Sequence, residues 1–175
     1  MSSALSRDDI LRLLHALNDE LRAEGVTGHI QMAGGAVMCL AFDARASTRD
    51  VDAVFRPSVK VLEAAVKVAA KENVPDTWLN DAVKSYLSDR GSFQPFLDLG
   101  NLKVFHATAE YMLAMKCLAM RIGEGFHDEE DIRYLLRNLG IRRFDDAADI
   151  LERYYSIDEY PETALLALRE LLADS

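Results

Sequence analysis

The chain opens with a helical repeat of apolar positions. Ser6 and Asp9 stand three residues apart at its start, as in a capping box, and Gly25 follows its end. An apolar residue at every third or fourth position is typical of a helix with one buried side. The pattern therefore predicts an amphipathic helix whose buried side is formed by Ile10, Leu13, Leu14, Leu17 and Leu21.

From residue 29 onward the pattern changes to short apolar runs. Residues 29–33 and 50–55 are predicted to be strands, and residues 36–42 between them a short apolar helix. Pro57 ends the second strand, because proline cannot donate to a sheet ladder. A helix is predicted over roughly 58–73, with a buried stripe formed by Val61, Leu62, Ala65, Val66 and Ala69.

Two more apolar runs flank the pair Gly100 and Asn101. A two-residue link of this kind predicts a β-hairpin, in which Asp98 lies opposite Lys103. Trp78 begins a segment that is predicted to be a short helix ending near residue 87. A large aromatic residue at such a position is more often a core anchor than a surface on which a base stacks.

The last third of the chain has only helical patterns. Residues 109–122 are apolar on nearly every side, which predicts a buried helix. Further helices are predicted from 128 to about 139, over 145–155 and over 161–173. We expect a cluster of tyrosines near the last two helices to serve packing rather than base stacking or partner binding. The cluster comprises Tyr154, Tyr155 and Tyr160.

Together these elements predict an α/β (α+β) fold. We expect a small mixed β-sheet flanked by helices and followed by C-terminal helices, in a single domain spanning residues 1–175. Its core would occupy about 28–106 and its helical part about 109–175. A chain of 175 residues that is 50% hydrophobic can bury one substantial core.

Composition narrows the classes of function. No stretch approaches the roughly 20 apolar residues of a membrane span, and the start of the chain lacks the features of a signal peptide, so we expect a cytoplasmic protein that contacts no membrane. Cys39 and Cys117 lie in apolar helical contexts, as core thiols do. The net charge of −9 opposes general nucleic-acid binding, although it leaves room for a local basic patch or a neutralising metal ion.

A glycine pair and two aspartates form the main candidate site. Gly34 and Gly35 follow the first predicted strand, where glycine permits a tight turn that lies close to a phosphate. Asp50 and Asp52 alternate with an apolar residue, which places both carboxylates on one side of a strand. Two such carboxylates are suitable ligands for Mg²⁺, which prefers a few carboxylate oxygens together with substrate phosphates.

Lys116 lies in the middle of the apolar helix predicted at 109–122. A buried ammonium is costly without a negative partner, so the side chain either extends to the surface or faces carboxylates or phosphates. The glycine turn with Asp50 and Asp52 is the clearest acidic, phosphate-binding unit in the sequence. We therefore predict that Lys116 lies beside it.

Three other carboxylates have a structural as well as a catalytic interpretation. Asp128 and Asp131 open a predicted helix, where Asp128 as the N-cap with Asp131 three residues on would satisfy loose backbone donors. Asp98 is the natural candidate for a third catalytic carboxylate. We favour instead its pairing with Lys103 across the hairpin.

The glycine pair followed by Asp50-Val51-Asp52 resembles the signature of the polymerase-β-like nucleotidyltransferases. The form Arg45-x-x-Thr48-x-Asp50-Val51-Asp52 resembles one branch, the AbiEii-type toxin nucleotidyltransferases and their bacterial relatives. A second segment is also similar to that branch, which has the pattern Lys-x-x-Ala-x-Arg followed by Asp-x-x-Asp-Ile. It matches at Lys116, Ala119, Arg121 and Asp131.

The resemblance implies a Mg²⁺-dependent transfer of a nucleoside monophosphate from an NTP to a hydroxyl on a tRNA 3′ end or a protein. It implies catalytic roles for Asp50, Asp52, Lys116 and Asp131, with Asp50 and Asp52 as the metal ligands. Nucleotide binding would fall to Gly34, Gly35, Arg45, Thr48 and Arg121. A cognate antitoxin is a further implied partner, and the alternative is a non-catalytic relative that binds a nucleotide or a partner protein.

Overall fold

The computed structural model describes residues 4–120 and 127–173. The described chain divides into two compact units, one of residues 4–85 and 93–107 and the other of residues 86–92, 108–120 and 127–173. The fold is mixed α/β, with the small mixed sheet and the helical C-terminal part that the sequence predicts. Among the described residues, no helix has both the length and the apolar character needed to cross a membrane.

The first unit is built on a mixed sheet of five strands. In chain order its elements are β1 (Leu5–Ser6), α1 (Arg7–Ala23), β2 (Gly28–Ala33), α2 (Gly34–Leu40), β3 (Ser47–Thr48), β4 (Val51–Arg56), α3 (Ser58–Glu72), β5 (Leu79–Asn80), β6 (Phe93–Asp98) and β7 (Leu102–Ala107). The sheet order is β5-β4-β2-β7-β6, and β1 and β3 form a separate antiparallel pair. β2 runs parallel to β7 and antiparallel to β4.

Helices α1 and α3 pack on one face of the sheet. A β-carbon added to Gly28 would lie 2.9 Å from Leu21 Cδ1 on α1 and 3.1 Å from Val61 Cγ2 on α3, so the strand lies close to both helices at this residue. The predicted capping box is confirmed: the Ser6 hydroxyl accepts from the Asp9 amide at 3.1 Å, and the Asp9 carboxylate accepts from the Ser6 amide at 2.9 Å. All five predicted apolar residues of α1 are buried.

The predicted stripe of α3 is partly wrong. Val61, Ala65 and Ala69 are buried as expected, but Leu62 and Val66 are 46% and 45% exposed. Ala64 and Val68 are buried in their place, so the stripe is rotated towards small residues. Small side chains let α3 pack closely against its neighbours, a preference that hydrophobicity alone does not reveal.

The predicted helix after Trp78 is also partly wrong. Leu79 and Asn80 form β5, which pairs in parallel with β4, and a 3₁₀ helix follows over Ala82–Tyr86. Trp78 itself is the core anchor that the sequence favours. Its side chain is buried, and its indole nitrogen donates to the Ala65 carbonyl at 3.0 Å.

The hairpin at Gly100 and Asn101 is confirmed. It joins β6 to β7 with Asp98 opposite Lys103, and Gly100 has a φ of +99°. The Asp98 carboxylate accepts a hydrogen bond from the Gly100 amide at 3.0 Å. Asp98 therefore stabilises the turn, in agreement with a structural role.

The second unit is helical. It contains α4 (Ala109–Leu118), α5 (Asp128–Asn138), α6 (Phe144–Tyr154) and α7 (Glu162–Ala173), with a 3₁₀ turn at Ile157–Glu159. Helix α4 is buried on nearly every side, as predicted, and contacts the other three helices. The tyrosines serve packing: the rings of Tyr111 and Tyr154 stack at 4.9 Å, and Tyr155 meets Tyr160 edge-on at 5.8 Å.

Both cysteines should be protected from thiol reagents in the folded protein. Cys39 and Cys117 are buried, and burial raises the pKa of the Cys117 thiol to about 12, so it stays protonated at pH 8. We expect Ellman's reagent to label neither thiol at pH 8 in the native protein and both in guanidinium chloride. Rapid labelling of either thiol in the native protein would contradict this burial.

Candidate functional site

The glycine turn and the second predicted aspartate lie against one another. Ala33, the last residue of β2, pairs with Asp52 of β4, and the chain then turns through Gly34 with a φ of +68°. A β-carbon on Gly34 would lie only 2.8 Å from Asp52 Oδ2. The position requires glycine for two reasons, its backbone conformation and the carboxylate beside it.

Gly35 lies under two other predicted site residues. A β-carbon there would be 2.5 Å from Thr48 Oγ1 and 2.6 Å from a guanidinium nitrogen of Arg45. Thr48 is held in place by β3, where it pairs with Leu5, and its hydroxyl donates to the Asp50 carbonyl at 3.4 Å. The structure thus brings the glycine turn, a cation, a hydroxyl and a carboxylate together.

Asp50 precedes β4 and is half-buried. Desolvation is the main influence on its carboxyl and raises the pKa, while the nearby Arg49 charge and a hydrogen bond from the Asn80 side chain act in the opposite direction. Asn80 lies in β5 directly beside Asp52. It supports Asp50, a role that sequence reasoning missed because a two-residue strand has no periodic signal.

Arg7 is a second residue that sequence reasoning missed. Its guanidinium donates to the Cys39 carbonyl at 3.4 Å and also to the Leu40 carbonyl, both in the last turn of α2. A cation at a helix C-terminus satisfies carbonyls that have no partner within the helix. The N-terminal segment therefore supports the site twice, through Arg7 and through the pairing of β1 with β3.

The donor set at this site suits Mg²⁺. Asp50 and Asp52 offer hard carboxylate oxygens, and Mg²⁺ is usually held by one or two carboxylates together with substrate phosphates. A bound cation would also offset the cost of ionising the half-buried Asp50 carboxyl. Among the described residues, no group of three or more His, Cys, Asp or Glu side chains is arranged to hold a metal ion.

Asp98 lies at the other end of the sheet. It pairs with Lys103, which pairs in turn with His29 near the start of β2, whereas Asp52 pairs with Ala33 at the end of β2. Four residues along a strand span about 13 Å. Asp98 is therefore too far from Asp52 to act as a third catalytic carboxylate.

Lys116 and Asp131, two of the predicted catalytic residues, form an ion pair in the second unit. Lys116 Nζ lies 2.8 Å from Asp131 Oδ2 and 3.2 Å from Asp128 Oδ1, and the side chains of Lys116, Asp128 and Asp131 are only 11%, 4% and 3% exposed. The buried lysine thus has negative partners, as physical chemistry requires. Its predicted location beside Asp50 and Asp52 stays a prediction, and Arg121 lies outside the described residues.

The first turn of α5 differs from its predicted capping. His127 occupies the N-cap position without a side-chain cap, and Asp128 is the first helical residue. Asp128 and Asp131, three residues apart, lie on the same side of the helix and both reach Lys116. Both aspartates therefore form ion pairs with Lys116. The sequence analysis assigned Asp128 to helix capping instead.

Comparisons of this chain with protein-family models, with curated proteins and with solved structures gave no match. Functional inference therefore starts from the two clusters described above, the glycine turn with its carboxylates and the Lys116 cluster.

Replacing Lys116 tests how far the second unit depends on this cluster. We expect Lys116→Met to lower the free energy of unfolding by about 3–5 kcal/mol, because Asp128 and Asp131 would remain buried without the ammonium. Urea denaturation followed by circular dichroism measures the change. The exposed pair of Lys84 and Asp81 provides the control, since Lys84→Met should cost less than about 1 kcal/mol. Equal costs for the two variants would contradict a buried cluster.

A matched pair of glycines tests the contact with Asp52. Gly25 and Gly34 have φ values of +67° and +68°, but a β-carbon at Gly25 meets nothing within 4 Å. Gly25→Ala should cost only backbone strain, about 1–2 kcal/mol. Gly34→Ala should cost more, and the excess should disappear in an Asp52→Ala background, as a double-mutant cycle by urea denaturation would measure. The same excess in both backgrounds would contradict the proposed clash.

Proposed function

We propose that the protein is a Mg²⁺-dependent nucleotidyltransferase that moves a nucleoside monophosphate from an NTP to a hydroxyl on a tRNA 3′ end or a protein. The observation that carries the proposal is the contact between the turn at Gly34 and the Asp52 carboxylate, 2.8 Å from where a β-carbon would be. A turn without side chains next to a carboxylate suits a triphosphate and its cation. The resemblance to the AbiEii-type branch supports the same chemistry.

The reaction joins the acceptor oxygen to the α-phosphorus of the NTP. The bond from that phosphorus to its bridging oxygen breaks, pyrophosphate leaves with the electron pair, and the hydroxyl proton is lost. Asp50 and Asp52 would hold Mg²⁺, which when bound neutralises phosphate charge. Arg45 and Thr48, which lie over Gly35, would contact the triphosphate and fix its position.

Lys116 and Asp131 enter the proposal through the resemblance. In this role Lys116 offsets the charge that develops on the transferred phosphate, and Asp131 orients Lys116 or accepts the hydroxyl proton. The 2.8 Å ion pair between them supports the orienting role. From the same resemblance we propose a cytoplasmic toxin–antitoxin component whose cognate antitoxin carries basic groups, which would complement the net charge of −9.

A transfer assay tests the proposal directly. Purified protein, Mg²⁺ and total tRNA are incubated with each α-labelled NTP in turn, beside Asp52→Asn and the control Gly25→Ala. We expect label in tRNA or in protein with the wild type and with Gly25→Ala. Asp52→Asn should lower the rate at least about 100-fold, because the metal site supplies several kcal/mol of charge stabilisation.

Thermal denaturation separates binding from turnover. An NTP present with Mg²⁺ at about 100 times its dissociation constant should raise the melting temperature by roughly 5–10 °C. The shift should be lost in Asp52→Asn. Transfer that is unaffected by Asp52→Asn would refute the site, and a Mg²⁺-dependent shift without transfer from any NTP would make the protein a non-catalytic nucleotide binder.

A further inference from the structure

One face of the five-stranded sheet combines the Asp52 carboxylate with basic and aromatic side chains. Gly28 marks the opposite face, because a β-carbon there would contact α1 and α3. Side chains alternate along a strand, and residues paired in register point the same way. Every second residue of β2, β4 and β7 therefore lies on the same face as Asp52. We call it the carboxylate face; it comprises His29, Gln31, Asp52, Val54, Arg56, Lys103 and Phe105.

A row of basic residues crosses three neighbouring strands of this face. Arg56 of β4 pairs with His29 of β2, which pairs with Lys103 of β7. His29 and Arg56 are exposed, and Lys103 is half-buried. The next residue across the sheet is Asp98, whose carboxylate accepts from the Gly100 amide. Basic side chains side by side repel one another when charged, so an anion bound along the row would relieve that cost.

The row next to the basic one combines an aliphatic, an amide and an aromatic side chain. Val54, Gln31 and Phe105 are neighbours in register, one pleat closer to Asp52 than the basic row. A cavity of about 350 Å³ opens there, lined by these three residues and by His29, Phe55 and Arg56. A half-buried aromatic ring flanked by an amide and cations is the combination with which proteins stack and recognise an unpaired base beside its phosphate.

We propose that the carboxylate face binds a single-stranded segment of an RNA acceptor. Phe105 stacks on a base, Gln31 contacts the edge of that base, and Arg56, His29 and Lys103 bind the phosphate backbone. The direction of the bound RNA rests on the proposed function, which places the reacting 3′ end at Asp52. The basic row lies about 13 Å from Asp52 along the β-strands, so it would hold nucleotides upstream of that 3′ end. An acidic peptide would match the basic row but would not use Phe105.

The charge pattern of the chain favours this choice of partner. A net charge of −9 repels nucleic acid in general, so the basic row is a local exception and determines where a phosphate backbone can approach. Lys60 on α3 offers a matched control, because it is an exposed cation on the helix-covered side of the sheet and its ion pair with Glu63 is long, at 3.8 Å.

Fluorescence anisotropy with a labelled single-stranded RNA of about twelve nucleotides tests the proposal. The titration contains EDTA and no NTP, so binding is measured apart from transfer. Arg56→Gln and Lys103→Gln should each weaken binding about fivefold at 0.1 M salt and lower the slope of log K against log salt by about 0.7. Phe105→Leu should weaken binding at least about fivefold without changing that slope. Lys60→Gln should bind like the wild type.

The outcomes separate this inference from the proposed function. RNA binding that depends on Arg56, Lys103 and Phe105, in a protein that transfers no nucleotide, supports the binding face and refutes the enzyme. Nucleotide transfer to RNA that none of these substitutions affects overturns the binding face and leaves the enzyme. Equal binding by all variants, tighter binding of the same sequence as DNA, or a stronger response to a polyglutamate peptide than to RNA also overturns it.

Discussion

The candidate site depends on how closely the backbone of Gly34 approaches the Asp52 carboxylate. The antiparallel pairing of β2 with β4 places Ala33 opposite Asp52, so the turn that follows Ala33 begins next to the carboxylate. Any side chain at residue 34 would meet Asp52 Oδ2. The sheet register thus places the carboxylate beside the turn, and the positive φ of Gly34 together with that carboxylate favours glycine there.

The elements around this contact hold the connection between β2 and β4 in place. Arg7 binds the end of α2, and β1 pairs with β3 so that Thr48 lies over Gly35. Asn80 supports Asp50 from the neighbouring strand. Loops carry function when a rigid scaffold positions them, and here the scaffold includes the first residues of the described chain.

The protein stabilises its two groups of aspartates in different ways. Asp128 and Asp131 are almost fully buried, and both carboxylates are compensated by the ammonium of Lys116. Asp50 is half-buried, and desolvation outweighs its favourable contacts, so its pKa is raised. A carboxylate whose ionised form is disfavoured by burial is typical of functional sites, where a bound ligand can stabilise the charge.

Local signals in the sequence predicted most of the fold. The capping box at Ser6, the hairpin at Gly100 and the burial of α4 each depend on residues near one another in the chain, and each is confirmed. The pairing of β1 with β3 was not predictable, because strands of two residues are specified only by distant partners. Asp128 was not predicted as a partner of Lys116 for a related reason: the sequence shows that a buried lysine needs carboxylates but not all of those that reach it.

The same alternation of residues that buries the core also determines on which face of the sheet the site residues lie. Val51, Ala53 and Phe55 are buried, so Asp52 and Arg56 must point to the other face of β4. A slip of one residue would bury a carboxylate and expose the core, which makes this register strongly specified. Because β2 and β7 are in register with β4, the acidic end and the basic row of the carboxylate face follow from the same hydrophobic pattern.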